Sequence, residues 1–191
     1  CRSPNSSPAD AAATIAAMVS NASLGQIVSV LIPIGLLFFL YGIFVLQGNI
    51  RSNGNGDALS RLASLFILVG VIGWMVASGA SLAITGSGLP AEQAAPTFGS
   101  LYSATLGIGT IAGIISGIGF LALALAVSTR EDSNKIAALV AAVAAVVAIV
   151  VTVVGGMDTS QLETMNQIAG VTYLVHMVWF FMLGRNLIKV D

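Results

Sequence analysis

Charge is what this sequence has least of. Only 8% of its 191 residues are charged, seven Lys or Arg and eight Asp or Glu, against about 25% in an ordinary soluble domain. So few charges cannot cover the surface of a water-soluble chain, and a conventional soluble domain is excluded. The net charge of −1 and a pI near 5.7 leave no basic face for a nucleic acid. No polybasic cluster for anionic lipid is present either. There is one His and one Cys. A single His excludes a bis-His haem within one chain, and a single Cys excludes an internal disulfide. What the chain has in quantity is apolar surface: 57% of residues are hydrophobic and the mean hydropathy is +0.97.

Crossing about 30 Å of hydrocarbon takes roughly 20 residues of helix. Five apolar runs are long enough: 26–47, 60–85, 98–127, 136–154 and 167–188. In lipid each must satisfy its backbone hydrogen bonds internally, so each is expected to be α-helical. The continuous runs do not alternate as barrel strands do. The expected fold is therefore all-α, a polytopic membrane protein with five transmembrane helices occupying 26–191. Residues 1–25 are expected to form an extracytoplasmic tether and a short external helix. Pro33 should kink the first span.

Lys and Arg fix the expected orientation. Arg51 and Arg61 lie between the first and second spans, Arg130 and Lys135 between the third and fourth, and Arg185 and Lys189 at the C-terminal end. The loops 86–97 and 155–166 hold Glu92, Asp158 and Glu163 but no Lys or Arg. The positive-inside rule reads this as N-terminus out, C-terminus in. The second and fourth spans each rise from a charged loop and return through an acidic one, a pattern that suggests a duplicated hairpin, although residue identity between the halves is weak.

The N-terminal stretch Cys1-Arg2-Ser3-Pro4-Asn5-Ser6-Ser7-Pro8 is short, polar and proline-rich. With no initiator Met before it, it reads as a processed end from which a signal sequence has been removed. A leading Cys followed by such a tether resembles a bacterial or archaeal lipoprotein, and the resemblance implies a lipid on Cys1. The alternative is an ordinary signal-peptidase cut. A helix over 8–20 is expected, capped by Ser7, started by Pro8 and favoured by Asp10 in its first turn. Its apolar face suits a membrane surface or a neighbouring helix. Asn5-Ser6-Ser7 and Asn21-Ala22-Ser23 are glycosylation sequons on the expected external side, which makes Asn5 and Asn21 candidate acceptors. The loop sequence Asn53-Gly54-Asn55-Gly56-Asp57 reads as a solvated turn, since it lacks the terminal Glu of a calcium loop.

Two features within the spans invite a role. Gly109, Gly113 and Gly117 repeat every four residues on the third span, with Ser116 beside them, a small-residue face on which another helix can pack closely. Gly70, Gly73, Ala77 and Ala80 suggest a second such contact on the second span. The other feature is His176, the only readily ionisable side chain deep within a span, and intramembrane polar groups are functional suspects. It could hold a haem, chlorophyll or copper axially, with Met177 and Met182 nearby in sequence. A neutral His that hydrogen-bonds within the bundle is the simpler reading. Ser116 and His176 are the sole pair on which an intramembrane serine protease could be built, and 113–117 lacks the Gly-x-Ser-Gly spacing.

Asp, Glu, Lys and Arg are confined to the loops and the ends of the spans, which argues against ion-coupled transport. Three functional classes remain. The first is a non-catalytic integral subunit that assembles with other membrane subunits or with copies of itself in the cell membrane. The second is a cofactor- or pigment-holding subunit of an electron-transfer complex, using His176. The third is a passive small-solute pore. Nothing in the sequence requires a cofactor.

Overall fold

A computed structural model describes residues 10–52, 56–131 and 133–188. Among them the chain is all-α, with six helices: α1 Ala11–Ser20, α2 Ala22–Ser52, α3 Asp57–Thr85, α4 Ala91–Ser128, α5 Lys135–Met157 and α6 Leu162–Ile188. A single 3₁₀ turn, Thr159–Gln161, joins the last two. Helices α2 to α6 are each long and apolar enough to cross a membrane. Alternation along the chain brings Arg51, Arg61, Arg130, Lys135 and Arg185 to one end of the bundle, the basic end. Glu92, Asp158 and Glu163 lie at the other, the acidic end.

The helices run further into the connections than the apolar runs suggest. Asp10, not Ser7, caps α1: its backbone is extended and its carboxylate accepts the Ala13 N–H at 3.0 Å. Asp is among the best residues for that task, so the helix starts at Ala11. Ser7 and Pro8 lie outside the described residues. The break before α2 is a single residue, Asn21, whose side-chain amide donates to the Ala17 carbonyl at 3.0 Å. The expected loop 86–97 shrinks to 86–90, because α4 begins at Ala91 and carries Pro96 within its second turn. There the missing N–H forfeits one bond near a helix end, where the loss is smallest. α2 runs unbroken through Pro33.

The basic end is closed by short side-chain ties. Asp57 pairs with Arg61 one turn along α3. Arg130, buried just beyond α4, donates to the Asn49 amide oxygen of α2 at 3.3 Å. Asn134 caps α5 by accepting from Ala137 N–H at 3.1 Å. Gly56 starts α3 in a left-handed conformation (φ +91°), and a Cβ there would lie 2.7 Å from the Ala126 carbonyl oxygen of α4. Both the φ and the close approach demand glycine. Residues 53–55 lie outside the described residues.

Helix α4 is the hub, the most buried of the five long helices. One face meets α3, where Cβ atoms placed on Gly70, Gly73 and Gly119 would fall 1.9, 2.7 and 2.7 Å from Ser116, Ala112 and Ile67. Another meets α5, with Gly117 against Ile149 and Gly113 against Thr152. Leu40, Ile43, Leu46 and Ile50 of α2 complete the core with Ile67, Val71 and Leu123. At the acidic end α1 lies on α3 and α4, its Ile15 fully buried with Ile84, Ala94 and Tyr102.

The two hairpins reach different heights. Gly156, next to the last residue of α5, sits against Thr110 of α4, so α4 continues from residue 109 back to 91 past the end of α5. At 1.5 Å per residue that excess is roughly 27 Å. α3 rises with it, and its last residue, Thr85, accepts from Gln26 of α2 at 3.0 Å. The α2–α3–α4 layer therefore stands well above the α5–α6 hairpin at the acidic end.

Helix contact through glycine predicts a graded response. Gly119→Ala puts a methyl 2.9 Å from the Ile67 backbone nitrogen and should cost about 1–3 kcal/mol. Gly79→Ala, with nothing within 4 Å of its Cβ position, should be neutral or slightly stabilising, by up to about 1 kcal/mol. Thermal unfolding of both variants in detergent checks the difference.

Candidate functional site

His176 sits where α2, α4, α5 and α6 converge. Its position on α6 turns the ring inward, and only 2% of the residue is exposed. Phe120 of α4 lies against it at a centroid distance of 4.9 Å, tilted by 33°. Trp179 and Phe180 each lie 6.4 Å away. Phe39 of α2 closes the cluster edge-on to Phe180 at 5.1 Å and to Phe120 at 6.1 Å. Such pairs contribute about 0.5–1.5 kcal/mol each beyond their buried area. The cluster ties α2 to α6, which otherwise touch little.

The hydrogen bonds of His176 fix its tautomer. Nδ1 lies 2.7 Å from the Thr172 carbonyl oxygen, one turn back on α6. A carbonyl only accepts, so Nδ1 carries the proton and donates. Nε2 makes no hydrogen bond of good geometry among the described residues, but the ring also interacts with the Ala141 backbone of α5. Phe120, Trp179 and Phe180 lie around the ring, whereas Met177 and Met182 are exposed on the outer faces of α6. No group of three or more His, Cys, Asp or Glu side chains converges among the described residues. Ser116 is also buried, but its hydroxyl donates to its own helix at Ala112, 2.6 Å away, and no hydrogen bond joins it to His176.

The structure divides the glycine stripe of α4. Gly113 and Gly117 face α5, and a Cβ on each would lie 3.2 Å from Thr152 and 2.6 Å from Ile149. Gly109 meets no neighbouring helix, with nothing within 4 Å of its Cβ position. It lines a partly open cavity of about 260 Å³ between α3, α4, α5 and α6. That cavity starts near Thr105, Leu162 and Asn166 and ends at Trp74, Gly113 and Tyr173. Trp74 and Tyr173 meet edge to face at 6.0 Å and bring α3 against α6. Further along α6 toward the basic end come His176 and Phe180, so the aromatic cluster lies below the cavity floor. The sequence did not single out this site. Its signal was the set of hydroxyl and amide side chains, Thr105, Thr110, Thr152, Asn166 and Tyr173, on three separate helices.

Around the α5–α6 turn, Asp158 accepts from the Ser160 hydroxyl at 2.6 Å and from the Ser160 N–H at 3.0 Å. Those bonds hold its carboxyl below the usual range, and the carboxylate serves the turn. Asn21 spends its amide on the C-terminus of α1, bonding Ala17 and Ser20. Cys1 and Asn5 lie outside the described residues.

These features define a polytopic α-helical membrane protein with an aromatic core and a largely apolar cavity into which hydroxyl and amide groups project from three helices. No protein-family model matches the chain, and no match was found among curated proteins or solved structures.

If the neutral ring of His176 serves packing, an apolar replacement of similar bulk should be tolerated. His176→Leu keeps most of the buried bulk while removing a ring nitrogen that makes no hydrogen bond of good geometry, and should change stability by less than about 1.5 kcal/mol. His176→Ala, which opens a void, should cost roughly 2–4 kcal/mol, the range of other core truncations. Thermal unfolding ranks the two, and an absorption spectrum of the purified wild type should show no chromophore that either variant releases.

Proposed function

We propose that the chain is a non-catalytic integral membrane subunit that packs into a larger homo- or hetero-oligomeric complex, with its N-terminus outside the cytoplasm and its C-terminus inside. The observation that carries this reading is the mismatch between the hairpins. α5 has 23 residues, close to the length that about 30 Å of hydrocarbon requires. The α2–α3–α4 layer overshoots it at the acidic end, yet α2 stays apolar and exposed there: Leu24 is 64% exposed, Ile27 57% and Leu31 59%. A flat bilayer matched to α5 leaves this shelf in water. A bilayer matched to the shelf draws Asp158 and Glu163 into hydrocarbon. A neighbouring membrane protein that covers the shelf removes the conflict.

Chemical poverty supports the same reading. Catalysis needs positioned acids, bases, nucleophiles or metals, and the buried His176 of the spans is engaged with its own helix. Two other readings, a pigment-holding subunit built on His176 and a passive pore, are less well supported. The ring is enclosed by aromatic side chains, and the cavity ends at Tyr173 above that cluster.

Mild solubilisation followed by native mass spectrometry tests the assembly. A complex heavier than the 19.4 kDa chain is expected, colourless unless a partner brings the pigment. A monodisperse monomer in several mild detergents and in nanodiscs would overturn the proposal. Orientation is checked separately, with Cys1 first replaced: Ser87→Cys should react with an impermeant thiol reagent in intact cells, and Asn134→Cys should react only after lysis.

A further inference from the structure

The cavity between α3, α4, α5 and α6 has a chemistry that the assembly role does not use. Its polar groups converge: the Thr152 Oγ1 of α5 and the Tyr173 Oη of α6 lie 3.7 and 3.8 Å from the position a Gly113 Cβ would take. Without a side chain at 113, both oxygens border the cavity, although the Thr152 methyl lies nearer to that position, at 3.2 Å.

Each oxygen has a defined hydrogen-bonding sense. Thr105, Thr110 and Thr152 donate their hydroxyl protons to Leu101, Leu106 and Ala148 of their own helices, at 2.8, 2.9 and 2.7 Å. What they have left to offer is acceptor lone pairs. The Tyr173 hydroxyl has no hydrogen-bond partner among the described residues and is free to donate. A ligand here must both donate to threonine and accept from tyrosine, and a neutral hydroxyl does both with one oxygen. No Asp, Glu, Lys, Arg or His lines the cavity, so a charged ligand would lose its water without gaining a counter-charge. Trp74, Leu106, Val151 and Leu162 supply apolar walls for carbon. The volume, about 260 Å³, lies just below the range of roughly 300–1,000 Å³ that holds drug-sized molecules.

We propose that this cavity is a binding site for an uncharged small polyol, its hydroxyls held by Thr152 and Tyr173 and its carbon skeleton lying along Trp74. A free polyol from water and the glycerol moiety of a neutral lipid offer the same chemistry. The inference stands independently of whether the chain assembles with partners.

The test uses the full chain in phosphatidylcholine nanodiscs, with fluorescence of its two tryptophans as readout, since Trp74 lines the cavity and Trp179 is buried in the core. The protein is titrated with glycerol, with dioleoylglycerol added to the nanodisc lipid, and with glycerol 3-phosphate. A saturable change with glycerol identifies the aqueous source. A saturable change with dioleoylglycerol alone identifies the lipid source. Either supports the site, provided glycerol 3-phosphate produces no such change. Tyr173→Phe and Thr152→Val should each weaken the response at least ten-fold. Gly109→Leu, whose Cβ has nothing within 4 Å and whose longer side chain fills the cavity, should abolish it while leaving the melting temperature near that of the wild type. No saturable response to either neutral probe, equal binding of the phosphate ester, or a response unchanged in Tyr173→Phe and Gly109→Leu would each overturn the proposal.

Discussion

The bundle depends on how closely two backbones can approach α4. Lipid tails are as apolar as leucine, so the hydrophobic effect does not press helices together inside a membrane. Dense packing does much of that work. α4 meets this demand on two faces at once. Gly119, with Ala112 and Ser116, admits α3, while Gly113 and Gly117 admit α5. A helix flanked on both sides in this way has little room for large side chains except where a third neighbour stands further off. Phe120 occupies that place, reaching between α2 and α6 to His176 and Phe180. The glycines and the aromatic cluster are two parts of one arrangement: close contact on two sides leaves the space that the rings fill.

Much of the fold was legible in the residues, because hydropathy over 20 residues is a strong signal and lipid permits few backbone solutions. All five long helices lie where the apolar runs placed them. Their ends were less legible. Helix continues into 91–97 and 162–166 through polar residues and past Pro96, since outside hydrocarbon a helix needs only local bonds and caps to persist. Asp10 was read as a first-turn carboxylate and proves to be the cap itself. Spacing alone placed Gly109 with Gly113 and Gly117, but it could not show that α5 ends at the level of Thr110.

The cavity was the least legible feature. Each of its threonines bonds to the carbonyl four residues back, a common habit of hydroxyl side chains on membrane helices, so none stands out in the sequence. Only the meeting of three helices makes a group of them. The opposite holds for His176. It is conspicuous in the sequence as the single His, yet in the structure its neighbours are aromatic rings and backbone carbonyls.

The unequal hairpins also bear on the membrane that receives this protein. A bundle with one apolar height has one preferred bilayer thickness, but this one has two heights, on opposite sides of the same core. Thickening the bilayer covers more of α2 near Leu24 and draws the Asp158 turn toward hydrocarbon. Thinning it frees the turn and exposes the shelf. Each ångström of mismatch costs a fraction of a kcal/mol, and the two sides respond with opposite sign. Where no neighbour covers the shelf, such a bundle would lean by an angle that follows membrane thickness, and sterols or long acyl chains would set how far α1 stands from the lipid surface.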